Sequence, residues 1–351
     1  MKRFKSNPIL TPIASHPWEA KLVYNSAAFK IETRTYLLYR ALGADHISRL
    51  GLAWAQDGTR FENRLPHPVF EPRVGYELPS EETRASRNRE KGGCEDPRAT
   101  IIGDTLYITY TAYGELCQIA LASMAVAKFK ALVNSPATRQ AWNQAWTRHG
   151  LAFPQLPAQG VFSRNACVFS VRDNVYGLIY RFGKEAMEIT YSSSPLGPWP
   201  RGETLMQPKQ PWERERMGIC TPPIETPHGQ LFVYHGVEST PQEGRTYRLG
   251  CFFARFSQDQ NGKISHSISR ASQPILSPER EYERKSAWLE PLNVYAVFSC
   301  GAVPAANNSV CEDDDEIIIY YSGGDSRLCA ATAKVSELAQ LAGALKGKLN
   351  A

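Results

Sequence analysis

Residues 93–110 read Gly93-Cys94-Glu95-Asp96-Pro97-Arg98-Ala99-Thr100-Ile101-Ile102-Gly103-Asp104-Thr105-Leu106-Tyr107-Ile108-Thr109-Tyr110. Two short runs, Ala99–Ile102 and Leu106–Tyr110, are rich in β-branched and aromatic residues and are parted by Gly103-Asp104, so the stretch predicts two strands joined by a tight turn. The same grammar recurs along the chain. Thr35–Tyr39, Ala166–Ser170, Val175–Tyr180, Gln230–Tyr234, Arg248–Phe253 and Glu316–Tyr321 are runs of the same length and type, bounded by Gly, Pro, Asn or Asp. This is an all-β signature, and many short, evenly spaced strands suit a propeller or a large sandwich, both of which stack small sheets without long helical crossovers. Periodicity does not count the sheets.

Two segments depart from the pattern. Residues 124–148 carry Ala, Leu, Trp142 and Trp146 at helical separations with Pro136 as a break, and read as a helical insertion. Residues 335–349 place Leu338, Leu341 and Leu345 three and four apart and read as a C-terminal amphipathic helix. No Gly/Ser/Pro linker divides the chain, so residues 1–351 are expected to form a single domain. The polar stretch Glu81–Gly93 is expected to be a mobile loop beside the residues of greatest interest, where loops often gate a site.

Composition narrows the function. With 351 residues, 42% hydrophobic and 21% charged, the chain can bury a large core. No apolar run is long enough for a signal-peptide core or a membrane span, which points to a cytoplasmic protein with no membrane partner. The formal charge is +5, but lysine and arginine form no dense block interleaved with aromatics, so nucleic acid is not an expected partner. Eight cysteines are scattered singly, as buried reduced thiols would be, and the seven histidines show no paired spacing, so no metal site is expected.

Breaking a glycosidic bond takes a proton for the departing oxygen and a nucleophile on the opposite face of the sugar, so carboxylates held rigidly between strands are the residues to seek. Asp96 is such a residue. Pro97 is expected to hold it extended, Gly92-Gly93 to permit a close turn, and Arg98 to pair with a neighbouring carboxylate. An acidic residue before proline with an arginine nearby is also common surface punctuation.

Gly93-Cys94-Glu95-Asp96-Pro97-Arg98 resembles the signature of glycoside hydrolase family 130, the β-mannoside phosphorylases and related mannosidases, and further stretches follow in that family's order. They are Asn7–Leu10, Val23–Ala28, Tyr36–Arg40, Leu50–Ala53 with Asp57-Gly58, Thr109–Tyr113, Gly218 with Thr221–Ile224, Tyr234–Val237, Tyr247–Gly250, Ile275–Glu279, Val297–Gly301 and Tyr320–Asp325. The resemblance implies a five-bladed β-propeller with its sugar site in the central funnel. It also implies an inverting mechanism with Asp96 as proton donor, acting in the phosphorylases through the mannose 3-hydroxyl. By the same resemblance Asn25, Arg40 and Asp325 grip the mannose, and Glu95 and Tyr113 complete the substrate contacts.

A phosphorylase needs cations converging opposite the leaving group, whereas a hydrolase needs a carboxylate base there. The positions matching the family's phosphate ligands are Arg164, Arg181, Arg216, His235 and Tyr247. Arg216 stands for a lysine, Gly218-Ile-Cys-Thr-Pro-Pro223 lacks the family's second glycine, and Val168-Phe-Ser170 replaces its usual Leu-Phe-Pro. Glu213, Glu215 and Glu225 are near enough in sequence to supply the base of a hydrolase. The basic set favours phosphorolysis to α-mannose 1-phosphate, with inorganic phosphate as co-substrate, no metal or organic cofactor, a β-mannoside partner and room for a homo-oligomer. The alternative is an inverting β-mannosidase. A non-catalytic sugar-binding propeller ranks lower, and a furanosidase-type propeller lacks its Asn-Asp-Pro and Glu-Cys elements here. The longer 124–148 segment is expected near the funnel rim, shaping the acceptor subsite or a subunit contact.

Overall fold

The computed structural model describes residues 1–183 and 186–345. The chain opens with β1 (Lys2–Arg3) and then forms an antiparallel group of β2 (Leu22–Ile31), β3 (Arg34–Leu42) and β4 (Ser48–Ala55), with β5 (Asn63–Arg64) paired to β4. After α1 (Glu81–Ser86) come β6 (Gly93–Ile102), β7 (Thr105–Tyr113) and β8 (Cys117–Ala125), then the helices α2 (Val126–Val133) and α3 (Arg139–Ala145), and β9 (Thr147–Leu151), which closes the second group. The third group is β10 (Ser163–Arg172), β11 (Val175–Phe182), β12 (Met187–Ser192) and β13 (Glu203–Met206). In the fourth, β14 (Arg216–Ile219) and β15 (Ile224–Thr226) pair with β16 (Gly229–Thr240), followed by β17 (Gly244–Gln258) and β18 (Ile264–Arg270). The last comprises α4 (Glu281–Arg284), β19 (Val294–Pro304), β20 (Glu316–Gly323), β21 (Arg327–Lys334) and α5 (Val335–Ala342), and β1 pairs with β21. Short parallel contacts, Ser48 with Gly93 and Arg245–Tyr247 with Val294–Ala296, join the first group to the second and the fourth to the last.

Every strand expected from the sequence is present. The run Ile317–Tyr321 is buried on both faces, because each sheet is covered by a neighbour on either side, and this is why it reads as continuous rather than alternating hydrophobicity. The core is accordingly divided into clusters between successive sheets. One holds Ile119, Leu121, Phe153, Val168, Leu178 and Tyr180 from the second and third groups. Another holds Phe169, Ile179, Trp212, Phe232 and Phe252 from the third and fourth. A further cluster joins Val23, Leu37 and Tyr39 of the first group to Val303, Ile318, Tyr320 and Leu328 of the last. All eight cysteines are free and buried.

A buried Glu-Tyr-Arg set recurs where the chain enters four of the five groups. Glu19 accepts from Tyr39 at 2.8 Å, Glu77 from Tyr110 at 2.6 Å, Glu213 from Tyr234 at 2.5 Å and Glu283 from Tyr321 at 2.7 Å. Their arginines are Arg64, Arg148, Arg270 and Arg3 in turn. Glu77, Glu213 and Glu283 also accept backbone N–H groups of the loop just before them, so each carboxylate ties an incoming loop to the middle strand of its sheet.

The insertion forms α2 and α3, broken at residues 134–138 around Pro136, but it does not lie at the site. Phe129 packs on Phe29 and Tyr36, with ring centroids 5.4 and 5.1 Å away, and Trp142 packs on Phe129. Phe29 and Tyr36 are at the hairpin end of β2 and β3, some four residues or roughly 13 Å from Asn25 and Arg40. The apolar side chains of the insertion are consumed by this core, which leaves none for a rim. The C-terminal helix is also shorter than expected. Gly343 adopts φ +65° and ends it, and its buried face is Val335, Leu338, Ala339 and Ala342, while Leu341 and Leu345 are exposed. Residues 346–349 of the expected helix lie outside the described residues. Among the described residues no helix is long and apolar enough to cross a membrane.

Candidate active site

Three first strands carry the same irregularity. In β2 the register with β3 slips between Tyr24 and Ala27, in β6 with β7 between Glu95 and Arg98, and in β10 with β11 between Arg164 and Cys167. Each bulge seats one residue in the left-handed region: Asn25 (φ 47°), Asp96 (φ 48°) and Asn165 (φ 52°). Asn and Asp tolerate that conformation better than other side-chain-bearing residues, and a bulge re-aims the side chain off the sheet. The expectation that Pro97 holds Asp96 extended is therefore corrected: the extra residue of the bulge sets its backbone. Gly93 packs so closely that a Cβ would sit 2.2 Å from the Ser48 carbonyl oxygen.

The three side chains turn towards one cavity of about 160 Å³, lined also by Arg40, Arg164, Arg181, Arg216, His235, Tyr247 and Asp325. Asn25 Nδ2 donates to Asp96 Oδ1 at 2.8 Å and Arg40 Nη1 to the same oxygen at 3.1 Å. Among the described residues no group bonds Oδ2. Arg40 also donates from Nη2 to Glu95 at 2.6 Å and from Nε to Ser48 at 3.0 Å, so Glu95 positions the arginine from behind the cavity wall. Arg98 does not pair with a carboxylate as expected; it donates to the carbonyl oxygens of Asp96 (2.7 Å) in the bulge and of Cys220 (3.2 Å) and Ile219 (3.1 Å) at the end of β14.

Burial pushes the Asp96 carboxyl up, but Arg40, Arg98, the Asn25 hydrogen bond and Arg164 outweigh it and hold the group below the ordinary carboxylate range. Burial dominates instead for Glu95, raised to about 7 despite Arg40 and Arg164. Burial, reinforced by the Asp96 charge, raises Asp325 to about 7 as well, and its Oδ1 has no hydrogen-bond partner among the described residues. Asp325 also sits at φ 46° in the turn between β20 and β21.

This predicts a cost to stability at neutral pH. A carboxyl raised from 3.8 to about 7 on folding costs nothing below pH 4, loses stability for the fold as pH rises to 7, and costs a constant amount above it. Asp325→Asn is expected to raise the melting temperature at pH 8, by an amount corresponding to about 3–4 kcal/mol, and to have no such effect at pH 3.5. Thermal melts at the two pH values check this; equal shifts at both would refute it.

Three further arginines line the same cavity. Arg181 directs Nε and Nη2 to Asn165 Oδ1 at 3.3 and 3.2 Å, and Arg164 bonds the Cys117 sulfur. Among the described residues neither has a carboxylate partner. Burial, then the charges of Arg216 and Arg164, push Arg181 down to about 10. Arg216 pairs with Glu215 at 3.0 Å, and its buried Nε has no partner among the described residues. His235 is held well below its usual range by burial and by Arg181, Arg98 and Arg216, so its ring is neutral. It stacks on Tyr247 with ring centroids 6.0 Å apart. Clustered guanidinium groups of this kind form an anion site.

Tyr113 is not in this cavity but in an adjoining one of about 420 Å³, which shares Arg164, Arg181 and Arg216 with it. The three glutamates considered as a hydrolytic base do not line the site cavity. Glu213 belongs to the recurring Glu-Tyr-Arg set, Glu215 is held by Arg216, Ser239 and Arg245, and Glu225 by Gln230. Tyr24, Glu90, Asn165 and Phe298 line the cavity without having been singled out from the sequence. For Asn165 a signal existed: Tyr24-Asn25, Glu95-Asp96 and Arg164-Asn165 occupy equivalent bulges, an internal repeat too degenerate to stand out by eye. Segment 81–93, expected to be a mobile loop, contains α1 and is anchored by hydrogen bonds from Arg87 to Gly114 and Glu115 and from Lys91 to His46.

Comparison with known proteins places this geometry. A family model described as beta-1,4-mannooligosaccharide phosphorylase, that of the glycoside hydrolase 130 family, matches residues 1–343. A 1,2-beta-oligomannan phosphorylase of Thermoanaerobacter sp. (strain X514) is 29% identical over 86% of this chain and 88% of its own. The solved beta-1,2-mannobiose phosphorylase from Listeria innocua, in complex with beta-1,2-mannobiose, superposes with a TM-score of 0.67 at 19% identity, covering 98% of this chain and 99% of that one. A structure from work on GH130 glycoside hydrolases that target beta-1,2 mannosidic linkages in Candida mannan gives a TM-score of 0.67 at 22% identity, over 95% and 94% of the two chains.

Proposed function

Because the chain belongs to the glycoside hydrolase 130 family, we propose that it is a β-mannoside phosphorylase that releases α-mannose 1-phosphate with inversion. The observation that carries this reading is that three guanidinium groups, Arg164, Arg181 and Arg216, line the same cavity as Asp96, whose other lining carboxylates are Glu90, 3.9 Å from Arg40, and Asp325. Mannose occupies that cavity, held by Asn25, Arg40 and Asp325. Phosphate lies against the three arginines, His235 and Tyr247, and the departing sugar takes the adjoining cavity beside Tyr113. In the reaction a phosphate oxygen bonds to the anomeric carbon from the face opposite the scissile bond. The carbon–oxygen bond to the departing sugar breaks, Asp96 gives its proton to the mannose 3-hydroxyl, and that hydroxyl passes its own proton to the departing oxygen. We infer further that the five antiparallel groups are the blades of one propeller domain, a reading supported by the core cluster that joins the first group to the last. Hydrolysis by the same fold needs a carboxylate that activates water, and Glu213, Glu215 and Glu225 are already bonded elsewhere.

Incubation with β-1,2- and β-1,4-linked mannobiose, with and without inorganic phosphate, tests the reading. The expected result is phosphate-dependent formation of α-mannose 1-phosphate. Free mannose released at the same rate without phosphate would overturn it in favour of a mannosidase.

A further inference from the structure

Arg87 enters the larger cavity from the segment between α1 and β6, and neither the mannose nor the phosphate contacts proposed above involve it. Its guanidinium lies over the Tyr113 ring, 4.1 Å from the centroid. Nη2 donates to the carbonyl oxygens of Gly114 at 3.0 Å and Glu115 at 3.1 Å. These contacts fix the plane of the group, yet Nη1 is buried and has no partner among the described residues. A guanidinium whose plane is fixed in this way is a preorganised donor for a ligand in the cavity that it lines.

Charge decides what kind of ligand that is. The cavity is lined by four guanidinium groups, Arg87, Arg164, Arg181 and Arg216. Glu115 lines it too, with its oxygens taken by Ser80 and Thr83, and Glu215 pairs with Arg216. Two carboxylates and a phosphate dianion held by the shared arginines together balance the four cations, so the departing sugar, across the mannose from that phosphate, has no excess positive charge left to meet.

We propose that Arg87 is the specificity-determining residue for the departing sugar, a neutral pyranose one of whose hydroxyl oxygens accepts a hydrogen bond from its guanidinium. This rests on the phosphorylase reading and deepens it. Arg87 holds the acceptor and takes no part in binding mannose or phosphate.

The test runs the full-length protein in the synthetic direction, with α-mannose 1-phosphate as donor and mannose, glucose, N-acetylglucosamine or glucuronate as acceptor. Arg87→Met is expected to raise the KM for its preferred acceptor by about tenfold or more, the usual effect of removing a charged hydrogen-bond donor. Arg87→Lys, which keeps the charge but not the planar fork, falls between. In both variants the KM for α-mannose 1-phosphate does not rise with that for the acceptor. Parallel rises in both KM values would show that Arg87 only holds the segment in place, and an unchanged acceptor KM would show that it contacts no sugar; either overturns the proposal. So does a wild-type preference for glucuronate over glucose. If the wild-type protein releases no phosphate from α-mannose 1-phosphate with any acceptor, it is the phosphorylase reading that falls.

Discussion

Asp96→Asn slows phosphorolysis of β-mannobiosides by about 10²–10⁴-fold, the usual contribution of a positioned general acid, and leaves the fold intact. Asparagine keeps an oxygen where Asn25 Nδ2 and Arg40 Nη1 converge, and it adopts the left-handed backbone of the bulge as readily as aspartate does. Only the proton is lost. The electrostatics add a second, sharper expectation. In the free protein the arginines hold Asp96 ionised, which is the wrong state for an acid. A phosphate dianion against Arg164, Arg181 and Arg216 offsets the Arg164 charge, adds its own negative charge nearby and so raises the proton affinity of Asp96. The pH at which activity falls on the alkaline side should therefore be higher at saturating than at limiting phosphate. Turnover within tenfold of wild type in Asp96→Asn, or an alkaline limb that ignores phosphate, would contradict this assignment.

Arg181→Met is expected to raise the KM for phosphate by about 10²–10³-fold, the scale seen when one preorganised charged donor is removed from a reacting oxyanion. The variant should not be less stable than wild type. Burial and then the charges of Arg216 and Arg164 push the Arg181 pKa down to about 10, so its removal relieves a desolvation penalty and repulsion at the cost of three hydrogen bonds, two long ones to Asn165 and one to the Gly183 carbonyl oxygen. Phosphate saturation curves together with a thermal melt separate the two effects. An unchanged phosphate KM would mean that the anion binds elsewhere.

The strands were legible because their signal is local: Leu106–Tyr110 or Val175–Tyr180 states its own conformation. Asp96, Arg40 and the three arginines were legible only through the family's motifs, since nothing in a single carboxylate or guanidinium says where it will point. What escaped the sequence was set by long-range packing. Arg98 looked like a partner for a carboxylate, but it is taken by carbonyl oxygens far apart in sequence, that of Asp96 in its own bulge and those of Ile219 and Cys220 at the end of β14. Glu213 had the right chemistry for a base, yet Tyr234 and a loop backbone claim it. The leucine spacing of the C-terminal helix was sound at Leu338, but Leu341, still within the helix, is exposed, and Leu345 lies beyond the stop at Gly343.

The bulges at Asn25, Asp96 and Asn165 also limit what evolution can write there. A left-handed backbone charges most L-residues about 1–2 kcal/mol and spares asparagine, aspartate and glycine. Drift at these three points is therefore confined to an alphabet of amide, acid and nothing at all. On the proposed reading, exchanging acid for amide at position 96 removes the proton donor and leaves the bulge, with its contacts to Asn25 and Arg40, in place.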